Sequence, residues 1–277
     1  MSEKIRKVMK KIVPISLRRR IGGYRYGFFG PYSTWKETEE KGSGYDSEQI
    51  VQKVTNALLK VKRGEAAYER DSILFDTLEY RWPVLASLLL AASTHNNTLN
   101  IIDFGGSLGS TYFQHQNFLK ELDKVSWNIV EQANFVSLGK QNFADTTLHF
   151  FNSIKECLEA GEKPSVVLFS SVIQYLEKPY EILDEVVKNE FEYLIFDRTP
   201  FLQNGQDMVT LQKVPPQVYP ASYPCWFLGE EKFRTFFAST YELLAEFGSD
   251  EGKVNQHGVQ GEFKGFLFKR KKLTGSI

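Results

Sequence analysis

The stretch IIDFGGSLGS, residues 101–110, decides the fold. Leu99, Ile101, Ile102 and Phe104 form a nearly continuous apolar run, which reads as a strand buried on both faces. An acid, Asp103, sits at its end, and three glycines follow within six residues, Gly105, Gly106 and Gly109. Glycine costs backbone entropy unless the chain turns sharply there or passes close to something. A strand, a glycine turn and then a helix is the start of an α/β unit. Ligands of open α/β sheets bind beyond the carboxyl ends of the strands.

The pattern repeats downstream. A helix is predicted over 112–122, a strand over 126–132, a helix over 133–143 and a short strand over 148–152, with a further helix in IKECLEAG. SVVLFSS (165–171) reads as a strand, PYEILDEVVKN (179–189) as a helix with Pro179 in its first turn, and EYLIFDRT (192–199) as a strand. This alternation predicts a doubly wound, mostly parallel sheet. The end differs: a helix over 230–240 precedes two strands, YELLAEF and KGFLFKRK, spaced to pair as a hairpin. Upstream, SEQIVQKVTNALLKVKRG (47–64) is a helix capped by Ser47 and ended by Gly64, with Ile50, Val51, Val54, Leu58 and Leu59 on its buried stripe. RWPVLASLLLAAS (81–93) is a second, strongly apolar helix.

Composition narrows the function classes. The chain has 277 residues and a formal net charge of zero, but residues 1–25 hold nine Lys or Arg against one acid, leaving 25 basic and 33 acidic residues elsewhere. A mildly acidic body argues against wholesale nucleic-acid binding. Two distant cysteines, Cys157 and Cys225, build neither a disulfide framework nor a zinc site, and read as a reducing, cytoplasmic compartment. No metal-ligand cluster is visible. No apolar run reaches the roughly 18 residues of a spanning helix. KIRKVMKKIV (4–13) is basic and amphipathic up to Pro14, which predicts a tail over 1–23 that associates reversibly with an anionic membrane at its inner face through residues 4–20, unless it is only a disordered, solvated tail. Residues 24–95 read as an aromatic loop (Tyr26, Phe28, Phe29, Tyr32, Trp35) with a helical cap, and 96–272 as the ligand-binding domain.

A parallel sheet finished by an antiparallel pair resembles the Rossmann-like class I methyltransferase fold. The glycine turn fits that resemblance better than its rivals. A dinucleotide site wants G-x-G-x-x-G, and Ser107 and Ser110 break the pattern; a P-loop wants a lysine after the glycines, and none follows. Against a loose acid-x-G-x-G-x-G, Asp103, Gly105 and Gly109 match and Ser107 stands for the middle glycine. A tight turn without any ligand is the remaining alternative. Glu131, at the end of the second strand, is placed to accept both ribose hydroxyls, unless it is only a solvated loop acid. Asn152 and Ser153 follow the third strand, near an adenine amine, and Ser170 and Ser171 follow the fourth, under a methionine moiety. Asp103, Gly105, Gly106, Ser107 and Gly109 complete the expected S-adenosylmethionine site.

The segments GPYSTWKE (30–37), GYDS (44–47), RDSILFD (70–76), DFGGSLGSTYFQ (103–114), SSVIQYL (170–176), FDRTPF (196–201) and PASYPCWF (220–227) resemble a family of bacterial S-adenosylmethionine-dependent methyltransferases encoded among surface-polysaccharide genes. The resemblance spans residues 26–270 and implies methyl transfer to a sugar, or to its nucleotide- or lipid-linked precursor. Asp197, after the fifth strand, is the first candidate for the base that a sugar hydroxyl needs, with Arg198 beside it to hold an acidic group. Each also has a bland reading as a strand-closing pair. His257, in a polar loop between the last strands, is the second candidate base, whereas His95, His115 and His149 read as surface or helix-end residues. Tyr175, Tyr219, Tyr223 and Trp226 are candidates to stack on a sugar, although aromatic residues also pack cores. A catalytically silent, methyltransferase-like binding subunit is the competing functional expectation.

Overall fold

The computed structural model describes residues 26–44, 48–216, 218 and 220–272. The tail expected over 1–23, the Ser47 cap and Tyr219 lie outside the described residues. The described residues divide into two compact units, one within 26–44 and 209–225, the other within 48–208 and 226–272.

In the smaller unit, β1 (Gly27–Tyr32) runs antiparallel to β9 (Met208–Lys213), pairing Phe28 with Gln212 and Phe29 with Leu211. A short helix, α1 (Trp35–Glu39), follows, with the Thr34 hydroxyl accepting from the Glu37 amide at 3.1 Å. The aromatic loop expected over these residues is therefore a strand and a helix. Pro31 obscures the strand in the sequence, because proline inside a run argues against pairing.

The larger unit carries the sheet. Its strands are β4 (Thr98–Phe104), β5 (Lys124–Val130), β6 (Leu148–Phe151), β7 (Val166–Ser170), β8 (Tyr193–Leu202), β11 (Tyr241–Gln256) and β12 (Val259–Arg270). They lie in the order β6-β5-β4-β7-β8-β12-β11. The first five are parallel, and β12 and β11 are antiparallel to their neighbours. This is the expected Rossmann-like sheet, mostly parallel with a C-terminal antiparallel pair. Helices α2 (Glu48–Lys62), α3 (Trp82–Ser93), α4 (Ser110–Leu119), α5 (Ala133–Asn142), α6 (Ile154–Glu159), α7 (Pro179–Lys188) and α8 (Glu230–Phe237) surround it. Among the described residues no helix is long and apolar enough to cross a membrane.

Phenylalanines close one face. Phe196 on β8 stacks on Phe169 of β7 at 5.1 Å and meets Phe233 of α8 edge-on at 4.9 Å, and Phe266 and Phe268 of β12 join the same fully buried cluster. Each such side chain contributes roughly 1.5–3 kcal/mol by its burial.

Three departures from the sequence reading shape the site. First, β8 runs on to Leu202, so FDRTPF lies inside the strand and not after it. On one side β12 pairs with it from Tyr193 to Leu202. On the other, β7 leaves at Ser170 opposite Asp197, and the end of β10 (Ser222–Gly229) joins at Leu228 opposite Phe201. Residues 198–200 border the gap between them. Second, the polar loop expected around His257 is the tip of a long hairpin. His257 (φ 52°) and Gly258 (φ 85°) make a two-residue turn with both φ positive, the form that matches strand twist. Third, a small hairpin of β2 (Tyr68–Arg70) and β3 (Ile73–Phe75) precedes the sheet and turns through Asp71 (φ 52°) and Ser72 (φ 65°).

Candidate functional site

The glycine turn joins β4 to α4, and its backbone explains its residues. Gly105 has φ +68°, and a Cβ there would lie 2.2 Å from Cγ2 of Val172. A Cβ on Gly106 would lie 2.5 Å from the Asp103 carboxyl carbon, and Gly109 (φ +103°) caps α4 against Leu148. The close approaches demanded by the sequence are thus met by the protein's own side chains. Ser107 also takes a left-handed conformation, φ 55°, in the place of the middle glycine of the motif, so the turn keeps a glycine-like path without the glycine.

Three carboxyl groups converge on this turn. Asp103 is buried beneath it and accepts from the Trp127 indole at 3.0 Å. Burial pushes its pKa up to about 7 against that hydrogen bond. Glu131, just past β5, folds back on the loop and accepts from the backbone amides of Gln132, at 2.6 Å, and Ser107. Burial again dominates and pushes it to about 7. The third, Glu69 on β2, carried no signal in the sequence. It is buried, accepts from the Ser110 hydroxyl at the start of α4 and from the Ser72 amide at 3.0 Å, and is raised to about 7, chiefly by burial.

Beyond the end of β7 lies a second group. Asp197 is almost fully buried: its Oδ1 meets Nη2 of Arg81 at 2.5 Å and its Oδ2 accepts from the Ser170 hydroxyl at 3.1 Å. Its backbone carbonyl accepts from the Ser171 amide at 2.9 Å. Arg198 (φ 51°) reaches back, Nη2 to the Ser170 hydroxyl at 3.4 Å and Nε to Asp197 Oδ2 at 3.6 Å. Arg81 also faces the exposed Asp250 of β11 at 3.6 Å. Its backbone amide donates to Nε2 of His115 at 3.2 Å, while Nδ1 of His115 lies 2.8 Å from the Thr111 carbonyl. Burial lowers the His115 pKa, so the ring is neutral, protonated at Nδ1 and accepting at Nε2. His115 is therefore a fully buried anchor for Arg81, not the helix-end residue expected. Arg81 itself reads in the sequence only as the residue before an apolar helix.

Other expected residues are held elsewhere. Ser153 caps α6, its hydroxyl accepting from the Glu156 amide at 3.0 Å, and both nitrogens of Asn152 donate to the Glu156 carboxylate at 2.7 Å. The two residues form a helix-capping arrangement on the surface. Trp226 donates to the Leu176 carbonyl at 3.1 Å and packs against the phenylalanine cluster. Tyr223 is buried in β10, and Tyr175 lies half-buried in a 3-10 turn over Ile173–Tyr175. The predicted proximity of the YPASYPCWF aromatics does not give a free stacking platform at Tyr223 or Trp226. His257 is exposed at the tip of the hairpin, beyond Gly261, which pairs with Leu202 at the end of β8. Among the described residues no group of three or more His, Cys, Asp or Glu is arranged to hold a metal.

No family model and no curated protein matches the chain. Similar solved structures include the N-terminal domain of EvdMO1 in the presence of SAH and D-fucose, at 12% identity and a TM-score of 0.48, covering 82% of this chain and 98% of that one. Magnesium protoporphyrin IX methyltransferase (ChlM) from Synechocystis PCC 6803, with bound SAM, shows 12% identity and a TM-score of 0.42 over 82% of this chain and 87% of its own. CalS10, a SAM-bound amino pentose methyltransferase from Micromonospora echinaspora, shows 11% identity and a TM-score of 0.42 over 68% and 91%.

Proposed function

We propose that the chain is an S-adenosylmethionine-dependent methyltransferase that O-methylates a sugar or glycan precursor in surface-polysaccharide biosynthesis. The observation that carries the cofactor assignment is the meeting of Glu131 with the left-handed Ser107 amide at the carboxyl edge of β4 and β5. A carboxylate offers about four lone-pair positions. Two are taken by the Gln132 and Ser107 amides, so two remain for a ribose diol. Asp103 and Glu69 bring two more buried acids to the same turn, which suits a ligand bearing cationic groups. Glycan methylation in a polysaccharide pathway rests on the sequence resemblance.

When bound, the cofactor supplies a methyl group made electrophilic by its sulfonium. The chain's part is to align the acceptor hydroxyl and to exclude water. Glu131 would hold the ribose and the 105–109 backbone would form the floor, with Asp103 and Glu69 as the buried acids beside the turn. Asp197 fits a positioning role better than that of a base. Arg81 occupies one of its oxygens and Ser170 the other, so both are engaged inside the protein. His257, at the exposed tip of its hairpin, remains the second candidate. The engagement of both Asp197 oxygens by Arg81 and Ser170 is what favours the second reading, a silent methyltransferase-like binding subunit.

Two measurements test these readings. Titration calorimetry with S-adenosylhomocysteine decides cofactor binding, and no heat of binding to the folded protein overturns the assignment. Mass spectrometry of surface glycan from a deletion strain then separates enzyme from silent subunit. Loss of one methyl substituent per repeat supports catalysis, and unchanged glycan in a strain lacking a cofactor-binding protein supports the silent reading.

A further inference from the structure

Three buried side-chain atoms lack a hydrogen-bond partner among the described residues: Nε of Arg81, Nε of Arg198 and Oε1 of Gln174. The two arginines pair with Asp197, and Gln174 bonds the Arg198 backbone. Gln174 is fully buried, and its amide nitrogen already donates to the Ser171 hydroxyl at 3.2 Å and the Arg198 carbonyl at 3.3 Å, which fixes the free oxygen as an acceptor. Nε of Arg198 is 3.6 Å from Asp197, too far to count as a hydrogen bond. Buried donors and acceptors are nearly always satisfied, and buried guanidinium donors cost most when they are not. Both guanidinium groups face the one Asp197 carboxylate, Arg81 at hydrogen-bond distance and Arg198 at 3.6 Å. Asp250 approaches Arg81 only from the exposed rim, where solvent screens it.

We infer that Arg81, Arg198 and Gln174 form an acceptor subsite for a sugar that carries a carboxylate, with the two guanidinium groups on the carboxylate and Gln174 Oε1 on a neighbouring hydroxyl. The inference rests on the methyltransferase reading, which it deepens by naming the acceptor as a uronic acid. The unmet atoms are two donors and one acceptor, which a carboxylate beside a hydroxyl satisfies together. A planar guanidinium fork matches the two oxygens of a carboxylate. The gap in β8 pairing at residues 198–200 puts the group at the carboxyl end of β7, beside the middle of β8. Arg198 holds a left-handed backbone there, a strain commonly kept where it positions a functional side chain.

A carboxylate could also come from the cofactor's own amino-acid portion, and the test separates the two sources. Binding of D-glucuronate, D-glucose and D-glucose 6-phosphate is measured by saturation-transfer NMR and calorimetry on the full chain, with and without S-adenosylhomocysteine. D-glucuronate should bind roughly tenfold to a hundredfold more tightly than D-glucose, the worth of one or two charge-assisted hydrogen bonds. R198A should abolish that preference while keeping the native circular dichroism. R198K, which keeps the charge but lacks the planar donor fork, should lose most of it. Equal affinity for glucuronate and glucose in wild-type protein that binds S-adenosylhomocysteine overturns the subsite. So does tighter binding of glucose 6-phosphate. If R198A instead weakens S-adenosylhomocysteine about tenfold but leaves its decarboxylated analogue unaffected, the carboxylate belongs to the cofactor and the acceptor assignment falls. If S-adenosylhomocysteine does not bind at all, the methyltransferase reading fails. The glucuronate preference and its sensitivity to R198A, read without cofactor, still decide the subsite.

Discussion

Replacing Gly105 by alanine should destabilise the protein through a single identifiable neighbour. The new Cβ would be placed 2.2 Å from Cγ2 and 2.8 Å from Cβ of Val172, on a backbone with φ +68°. The left-handed conformation costs an L-residue roughly 1–2 kcal/mol. Forcing a methyl group into occupied space adds about 1–3 kcal/mol. With an unfolding entropy near 2.1 cal/mol/K per residue, a chain of 277 residues shifts its Tm by about 2 °C per kcal/mol. Gly105→Ala is therefore expected to lower Tm by roughly 4–10 °C in thermal denaturation without ligand. Val172→Ala removes the closest carbon, so the double variant should recover about 1–2 kcal/mol relative to additivity, while the left-handed strain persists. S-adenosylhomocysteine binding should return with stability in the double variant. A Tm within about 1 °C of wild type for Gly105→Ala, or strictly additive effects in the double-mutant cycle, would refute the packing explanation of this glycine.

Glu131→Gln should reduce S-adenosylhomocysteine affinity roughly tenfold to a hundredfold in calorimetry, since hydrogen bonds to charged groups contribute about 1.5–3 kcal/mol, with the circular dichroism unchanged. Asp197→Asn leaves the half-buried Arg81 with only the exposed Asp250 opposite it and should cost about 3–5 kcal/mol of stability, read by denaturant midpoint; a neutral effect would show that the pair is not formed. Stability of the ligand-free protein should fall as pH rises. Glu69 and Asp103 titrate near 7 when folded against ordinary values of 4.5 and 3.8, so the folded state binds more protons than the unfolded state between about pH 4 and 7. Tm measured from pH 5.5 to 8 should decline, and Glu69→Gln should flatten the decline; a rising curve contradicts the burial of these acids. His257→Ala, at the hairpin tip, should leave turnover on the true acceptor unchanged, and a loss of rate would support it as the base.

The sheet was legible because its signals are local. Apolar runs such as Val166–Phe169 are buried on both faces, and glycine, proline or a capping serine marks where neighbouring elements begin or end. The turn at 105–109 and the acid after β5 could be read for the same reason. The rest depended on distance in sequence. Arg81 meets Asp197 across 116 positions and His115 across 34, and neither partner has a neighbour that hints at the other. Glu69 lies in a three-residue strand whose turn is Asp-Ser, lacking the glycine that usually advertises a hairpin. The outer part of β11, GSDEGKVNQ, is polar and half exposed, with no apolar alternation to reveal a strand. Its pairing with β12 supplies the order that its own sequence does not.

The same residues therefore serve two demands that the sequence presents as one. Glycine at 105 and 106 is required by Val172 and Asp103, whatever is bound, so the turn is held rigid by contacts inside the protein. That rigidity also fixes the Ser107 amide against Glu131 before any ligand arrives. A ligand meeting this edge finds a carboxylate already oriented and does not have to order the loop, which reduces the entropic cost of binding. On the other side of β7, Ser170 and the Asp197 carboxylate hold Arg198 in a left-handed pose with one donor still unmet. The cation-seeking acids and the anion-seeking guanidinium groups lie along one strand edge, at the ends of adjacent strands β4 and β7. An arrangement with opposite charge demands at neighbouring strand ends suits a site for two ligands that must meet, a cationic donor and an acidic acceptor, better than a site for either alone.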